Sequence, residues 1–281
     1  MHFKNLEDKC RYYQELTNYH LLPNSYILVH CDGKNFSRLI KNNFKKPFDD
    51  EFIKMMNKTA KFLCENIQGC KLAYTQSDEI SLLITDFDKP ESDTLFGGRL
   101  CKIQSIIASL ATSEFNRLFI LNNLSNKFVN SNDVDVIFAE IYDEINSMKL
   151  AQFDCKAWVV PNENDAFAWF LFRNLDCIRN SKQQTAQTYL PHKSLLNKHT
   201  DKQIEILKEI KNIDWNDFKN SEKYGRFIVK QPKTETTVIN NKEITYTRNK
   251  FTVIDGFPLN DLDNKEKFLK YFNNNEIIEE E

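Results

Sequence analysis

Apolar positions change their spacing several times along the first 160 residues. Four short runs have the length and the β-branched and aromatic composition of strands, namely Ser25–Cys31, Lys71–Thr75, Ile80–Ile84 and Phe153–Val160. Apolar residues with helical spacing fill the intervals, in one pattern that opens at Asp49-Asp50 and another over Arg99–Phe119. The order strand, helix, two strands, helix, strand predicts the α/β (α+β) class, with a ferredoxin-like β-α-β-β-α-β core.

The pattern changes after Pro161. A long aromatic helical pattern covers Ala166–Leu190, a second one covers Asp201–Ile210, and Gly225–Ile254 has the composition of strands with a hairpin turn at Asn240-Asn241. We therefore divide the chain into two domains, residues 1–160 and residues 161–281, of which the second ends in a hairpin and an acidic tail. Residues 121–151, rich in asparagine and carboxylates, are expected to form an exposed insertion or loop.

Composition and charge limit the kinds of partner. The 38 Lys and Arg residues face 40 Asp and Glu residues, and a net charge of −2 excludes binding of nucleic acid or membrane by bulk positive charge. Seven cysteines without a CxxC pair and five histidines without an HxxxH spacing argue against a zinc site or a disulfide framework. The sequence has no signal-like apolar segment near its start and no membrane-spanning run, which predicts a cytosolic protein and leaves a mitochondrial location open.

Two pairs of residues at strand ends could carry chemistry. Asp32-Gly33 ends the first strand, and Asp78-Glu79 lies at the tip of the hairpin. Each pair alone is compatible with an ordinary turn or a solvated tip. Because the first strand and the hairpin strands are neighbours in a β-α-β-β-α-β sheet, the two sites can converge on one edge. Carboxylate oxygens bind Mg²⁺, so the combination predicts the two-metal palm of a polymerase or cyclase.

An ordered set of motifs connects the sequence to a known family. The motifs are Asp32-Gly33-Lys34-Asn35-Phe36, Phe44-Lys45-Lys46-Pro47-Phe48-Asp49, Thr75-Gln76-Ser77-Asp78-Glu79, Phe153-Asp154-Cys155-Lys156, Asp176-Cys177 and Asn180. By these motifs the chain closely resembles the tRNA-His guanylyltransferase superfamily, the 3′-to-5′ nucleotidyltransferases. The resemblance implies a polymerase-like palm, an appended helical fingers region and a homotetramer. It also implies an enzyme that activates the 5′-phosphate of a tRNA with ATP or GTP and then adds NTPs.

The same resemblance implies roles for individual residues. Asp32 and Asp78 would bind both Mg²⁺ ions, with the carbonyl of Gly33 as a further ligand. The implied nucleotide-binding residues are Gly33, Lys34, Asn35, Phe36, Ser37, Lys46, Ser77 and Asp78, among which Lys46 and Ser77 would hold the triphosphate. Lys102 and Asp176 would take part in catalysis. For Lys46, Lys102 and Asp176 a plain surface charge is the alternative, and Glu79 could be only a structural carboxylate.

Several positions depart from the family pattern. His30 replaces an arginine, Ser37 a histidine and Phe48 an asparagine, and only Asn180 clearly survives of the segment that follows Asp176-Cys177 in the histidine-tRNA enzymes. Because the metal residues are kept while these elements change, we expect a template-dependent 3′–5′ polymerase that repairs truncated 5′ ends of tRNA. The alternatives are a tRNA-His guanylyltransferase that adds G−1, and a tRNA-binding protein without catalysis.

Two of the departures leave questions open. Gln184 stands where the family has asparagine, and this change leaves the activation step undecided. His30 could titrate near neutral pH, or it could be a buried neutral histidine under the sheet edge.

Three stretches are rich in basic residues and poor in acidic ones. They are residues 33–48, 177–200 and 219–233. Such local stretches could contact the phosphates of a tRNA despite the near-zero net charge, although each could also be a solvated helix face. The residues expected to contact tRNA are Arg179, Lys182, Lys193 and Lys198.

Overall fold

The computed structural model describes residues 3–89, 91–127, 134–239 and 242–272. Its strands form a six-stranded antiparallel sheet in the order β4-β1-β3-β2-β5-β6. The strands are β1 Tyr26–Gly33, β2 Cys70–Gln76, β3 Glu79–Ile84, β4 Phe153–Val160, β5 Arg226–Ile239 and β6 Lys242–Asp255. The four strands predicted before residue 161 are confirmed, and β1 lies next to β3 of the β2–β3 hairpin as expected.

Helices cover both faces of the sheet. The described helices are α1 Leu6–Glu15, α2 Phe36–Asn43, α3 Asp50–Asn66, α4 Leu100–Lys127, α5 Val134–Ser147, α6 Glu163–Tyr189, α7 His192–Leu195, α8 Thr200–Lys211, α9 Asn220–Lys223 and α10 Leu262–Phe272. The Asp49 side chain caps the start of α3 by accepting hydrogen bonds from the backbone of Glu51 and Phe52. None of these described helices combines the length and apolar character that a membrane crossing requires.

Successive side chains of β1 point to opposite faces of the sheet and so belong to two different apolar clusters. Ile27, Val29 and Cys31 belong to an apolar cluster with residues of α3 and α4, whereas Leu28 belongs to a second cluster with residues of α6 and α10. By the same alternation Asp32 lies on the α6 face, in line with Leu28. The end of β1 that carries Asp32 therefore lies on the side of the sheet that α6 covers.

The carboxyl-terminal strands extend this same sheet. β5 pairs with β2 through Leu72↔Val229 to Thr75↔Arg226, and β6 pairs with β5 along its length. The sheet thus continues across the predicted boundary at residue 160. The predicted turn at Asn240-Asn241 and the acidic tail at residues 276–281 lie outside the described residues.

Residues 121–151, which are expected to form an exposed insertion or loop, are helical over much of their length. α4 continues to Lys127, and α5 spans Val134–Ser147. The carboxylates of this stretch alternate in the sequence with apolar residues at helical spacing, including Val134, Ile141 and Ile145. Leu121 and Tyr142 are 52% and 69% exposed, whereas Ala151 is buried at 4%.

Candidate active site

Three carboxylates line up across one end of the sheet. Asp32 is the next-to-last residue of β1, and it is in register with Glu79 on β3 and with Asp154 on β4. Residues in register on neighbouring strands point to the same face. Burial and the negative charge of Glu79 raise the pKa of Asp32. This end of the sheet is therefore strongly acidic on the side that faces α6.

Asp78 joins this edge from the turn between β2 and β3. Ser77 and Asp78 form the turn, with Ser77 in the left-handed region at a φ of 45°, and the Ser77 hydroxyl donates to Asp78 Oδ1 at 2.9 Å. Burial, with a smaller contribution from the charges of Asp32 and Glu79, raises the pKa of Asp78 to about 6. The structure thus brings Asp32 and Asp78 close enough for their charges to interact, at the edge where the sequence predicts a metal site.

Glu79, by contrast, has partners within the chain. Arg173 of α6 donates to Glu79 Oε2 from Nε at 3.0 Å, and Gln76 donates to the same oxygen at 2.9 Å. The guanidinium of Arg173 also lies over the rings of Trp169 and Phe172. Glu79 therefore attaches the hairpin tip to α6, which favours the structural alternative for this residue.

Asp176 belongs to the same network. Its Oδ2 accepts hydrogen bonds at 2.9 Å from both Arg173 and Asn180, and its Oδ1 accepts one from Arg179. The side chain is 12% exposed. The structure thus places Asp176 near the carboxylate edge, although both of its carboxylate oxygens are already hydrogen-bonded to α6 residues.

His30 lies one row further into the sheet. Its Nδ1 is 3.2 Å from Ser81 Oγ, and its ring packs edge-on against Trp169 with centroids 5.3 Å apart. Burial and the positive charge of Arg173 lower the pKa of His30 to about 4. This lowered pKa favours the neutral alternative for the half-buried His30 over titration near neutral pH.

A cavity of about 250 Å³ adjoins the Asp78 turn. Its walls come from the loop before α3, the β2–β3 turn, α6 and the segment before β5. The residues that line it are Ile40, Phe44, Lys45, Pro47, Phe48, Asp49, Phe52, Ile53, Gln76, Ser77, Asp78, Glu79, Cys177, Asn180, Ser181, Gln184, Glu222 and Arg226. Gln184 donates to the Pro47 carbonyl at 2.5 Å and so joins α6 to the loop. Aromatic walls with a few polar groups are typical of a small-molecule site.

Only some of the predicted nucleotide-binding residues line this cavity. Ser77 and Asp78 do, whereas Lys46 is exposed beside it and its neighbour Lys45 lines the wall. Lys34, Asn35 and Phe36 line a different groove of about 660 Å³ between α2 and the end of α5, and Ser37 is exposed. Gly33 has no room for a side chain, because a Cβ there would lie 2.4 Å from the Phe36 ring.

Lys102 lies at the other end of the sheet. It is exposed in the first turn of α4, with Nζ 5.0 Å from the centroid of the Phe96 ring. In that turn the Leu100 N–H donates a hydrogen bond to the carbonyl oxygen of Tyr19, which precedes β1 in the chain, with an N···O distance of 2.9 Å. β1 runs from there to Asp32, so the structure does not bring Lys102 to the carboxylate edge of its own chain.

The residues predicted to contact tRNA lie on α6 and the segment that follows it. Lys182 donates to Asp201 at 2.6 Å and lies over the Trp215 ring, and Lys198 donates to the Ser194 carbonyl at 2.7 Å. Arg179 is 63% exposed and contacts Asp176, and Lys193 is exposed. Their contact with tRNA stays a prediction.

The sequence analysis did not single out Arg173 or Arg226. Arg173 follows the aromatic run Trp169-Phe170-Leu171-Phe172, and Arg226 precedes the apolar run Phe227-Ile228-Val229. Both arginines are buried, at 9% and 4% exposure. A charged residue inside or beside an apolar run signals a buried charge, and this signal could have identified both.

Comparison with known proteins identifies the family of this chain. The family model "Thg1: tRNAHis guanylyltransferase" matches residues 7–161, more than half of the 281 residues. A "Probable tRNA(His) guanylyltransferase" of Dictyostelium discoideum is 26% identical over 241 residues, which cover 82% of this chain and 83% of the relative.

Solved structures give the same result for the fold. A bacterial Thg1-like protein in complex with ATP has a TM-score of 0.75 at 28% identity, covering 95% of this chain and 98% of that one. A bacterial Thg1-like protein in complex with GTP has a TM-score of 0.69 at 28% identity, with the same coverage. This chain belongs to the Thg1 family of tRNAHis guanylyltransferases, whose members are nucleotidyltransferases.

Proposed function

We propose that this protein is a Mg²⁺-dependent, template-dependent nucleotidyltransferase that extends truncated 5′ ends of tRNA in the 3′-to-5′ direction. The observation that carries the proposal is the convergence of Asp32 and Asp78 at one sheet edge, beside a cavity with aromatic walls. In this proposal the sheet with α3 and α4 is the palm, and α6 to α9 form the fingers. ATP or GTP activates the 5′-phosphate of the tRNA.

The donor atoms at the edge suit Mg²⁺. Asp32 and Asp78 offer carboxylate oxygens, and the carbonyl of Gly33 follows Asp32 directly, so all donors are the hard oxygens that this ion prefers. Like charges placed together in a partly buried position are unfavourable, and a divalent cation between them removes that cost. When bound there, Mg²⁺ would neutralise phosphate charge and activate the attacking hydroxyl.

The remaining residues bind and orient the nucleotide. The Ser77 hydroxyl, which here donates to Asp78, can rotate to donate to a phosphate oxygen. Lys46 is exposed beside the cavity and can neutralise phosphate charge from the loop before α3. Arg173 holds Glu79 and Asp176, and this arrangement fixes the hairpin tip against α6 so that Asp78 keeps its position.

Lys102 can serve this chemistry only from a second subunit. It lies at the end of the sheet opposite Asp32, so a role in nucleotidyl transfer requires that another copy bring its Lys102 to the edge. This requirement supports the homotetramer that the family resemblance implies. A cytosolic location of the assembly remains our prediction from the sequence.

Addition of G−1 to histidine tRNA is the second candidate, because the matching family model carries that name. Our reason to favour repair is the sequence after Asp176-Cys177, which differs from that of the histidine-tRNA enzymes.

A direct comparison of substrates tests the proposal. The purified protein is given 5′-truncated tRNAs and full-length histidine tRNA, each with labelled NTPs and Mg²⁺. We expect faster templated addition to the truncated tRNAs. A strong preference for full-length histidine tRNA would replace repair by G−1 addition, and binding of both tRNAs without addition would identify a non-catalytic tRNA-binding protein.

A further inference from the structure

Two cysteines lie side by side next to the carboxylate edge of the sheet. Cys31 on β1 is in register with Cys155 on β4, and both pack in the apolar cluster on the side of α3 and α4. The thiol of Cys31 forms a hydrogen bond with that of Cys155, and this contact, together with burial, raises the pKa of Cys31. Both cysteines are free thiols. The two sulfur atoms are therefore neighbours as well as the two backbones.

The backbone geometry of this pair allows a disulfide. Residues in register on antiparallel strands have Cα atoms about 4.5 to 5.5 Å apart, within the range of about 4.4 to 6.8 Å that disulfides span. Their Cβ atoms, also about 4.5 to 5.5 Å apart, are more distant than the mean of about 3.8 Å in a disulfide. The bond can therefore form within the sheet, but it draws β1 and β4 together locally.

Access from solvent distinguishes this pair from another pair of thiols. Cys155 is half-buried on an edge strand of the sheet, and its Sγ donates to the Lys156 carbonyl at 3.8 Å in a solvent-exposed contact. Cys31 behind it is fully buried. Cys64 and Cys70 also form a thiol–thiol hydrogen bond, but both are buried, at 3% and 2% exposure. A soluble oxidant can thus reach Cys155 first, and Cys31 can then react with it, whereas the second pair is closed to the oxidant.

The position of the pair connects its oxidation to the proposed reaction. Cys31 precedes Asp32 and Cys155 follows Asp154, and these two carboxylates are in register with each other. Because successive side chains of a strand point to opposite faces, a disulfide would form beneath the carboxylates without touching them. It would instead move the β1 backbone that carries Asp32, and a displacement of about 1 Å in a reaction site can cost about 100-fold in rate.

We propose that Cys31 and Cys155 form a thiol–disulfide switch, in which hydrogen peroxide oxidises the pair to a cross-strand disulfide that slows nucleotide addition until the bond is reduced. The Cys155 sulfur takes one oxygen from the peroxide and becomes a sulfenic acid, and the other oxygen leaves as water. The Cys31 sulfur then attacks the Cys155 sulfur, the S–O bond breaks, and the hydroxyl group leaves with the Cys31 thiol proton as a second water. The two thiols lose two electrons, which the peroxide accepts. The disulfide is independent of the proposed function, but its effect on activity rests on that function.

Oxidation of the unmodified protein tests the switch. Reduced protein is treated with hydrogen peroxide, its remaining thiols are alkylated, and its linked peptides are mapped by mass spectrometry while nucleotide addition to truncated tRNA is assayed. We expect a link between Cys31 and Cys155, a loss of activity of roughly 10- to 100-fold, and recovery with dithiothreitol. Absence of this link, a link between Cys64 and Cys70 in its place, or a link with full activity would overturn the inference. The peptide map does not depend on activity, so a reduced protein that adds no nucleotide to any tRNA would count against the proposed function alone.

Matched variants separate the switch from general oxidative damage. Cys155→Ser removes the accessible sulfur and should keep its activity in peroxide, and Cys31→Ala should be protected as well because the second sulfur is missing. Cys101→Ser alters an exposed cysteine outside the pair and should be inactivated like the unmodified protein. The ratio of activity with and without peroxide is the measurement, because any effect of the substitution itself appears in both. Equal inactivation of Cys155→Ser and Cys101→Ser would overturn the inference, and if Cys155→Ser and Cys31→Ala do not fold, the peptide map of the unmodified protein still decides.

Discussion

Two groups of charges lie near the Asp78 turn, and they differ in how the chain compensates them. In the first group, Arg173 contacts Glu79 and Asp176, so each charge has its opposite within the fold. In the second group, Asp32 and Asp78 form no ion pair with a described residue, and the charge of Asp32 helps to raise the pKa of Asp78. The first group is complete without a ligand, and the second is not.

This difference separates residues that support the structure of the site from residues that take part in the reaction. A compensated buried network rigidifies the elements it joins, which here are the hairpin tip and α6. Uncompensated groups tend to be retained where a ligand completes them. By this criterion Glu79 and Asp176 belong with the support, and Asp32 and Asp78 belong with the reaction.

The largest effect is expected from neutralising Asp32 or Asp78, the carboxylates without a counter-charge in the fold. Asp32→Asn or Asp78→Asn should reduce nucleotide addition by roughly 1,000-fold, because loss of a metal ligand removes several kcal/mol of transition-state stabilisation. In EDTA the same variants should unfold in urea at or above the wild-type midpoint, because each removes one of two like charges. Steady-state addition of labelled NTP and urea denaturation provide the two measurements.

A matched control keeps that result interpretable. Asp165→Asn alters an exposed carboxylate in the first turn of α6 and should leave both activity and the denaturation midpoint unchanged. If Asp32→Asn and Asp78→Asn were as active as this control, the carboxylate edge would not be the reaction centre.

The sequence predicts most of the fold and, of the candidate site, the two carboxylates Asp32 and Asp78. Strand periodicity located β1 to β4, and the adjacency of β1 and the hairpin brought Asp32 and Asp78 to one edge. Local sequence could not show that α5 is a helix, because its many carboxylates outweighed its apolar spacing in our interpretation. Composition gave no means of knowing that β5 would pair with β2.

The two buried arginines, which the sequence motifs do not include, depend on contacts between distant parts of the chain. Arg173 acts on Glu79, 94 residues away, and Arg226 bonds to Asn57, 169 residues away. Charges counted along the chain, as in residues 219–233, do not distinguish a buried arginine from a solvated lysine. Lys102 is the opposite case. The family resemblance implies a catalytic role for it, but the structure does not bring it to the carboxylate edge of its own chain.

The second test compares the two buried arginines by their effect on stability. Arg173→Met leaves Glu79 and Asp176 without their buried counter-charge, so we expect a loss of about 3 kcal/mol in the free energy of unfolding. Arg226→Met leaves no buried carboxylate without a counter-charge, but it removes the donors to Asn57 Oδ1 and to the Ser221 carbonyl, so we expect a smaller loss, of about 1 to 2 kcal/mol. Urea denaturation without nucleotide measures both. Equal losses in the two variants would contradict this difference.

The smallest effect is expected at the rim of the cavity, where Lys219 donates to Asp50 at 2.8 Å. Both side chains are about three-fifths exposed, at 60% and 62%. An ion pair in that position is screened by water, so Lys219→Met should change the free energy of unfolding by less than about 1 kcal/mol. It should also leave nucleotide addition unchanged, because Lys219 is not among the residues that line the cavity. Asp50→Asn removes the same pair from its other side and should give the same result. A clear loss of stability or of nucleotide addition in either variant would contradict the assignment of this ion pair as a solvent-screened surface contact.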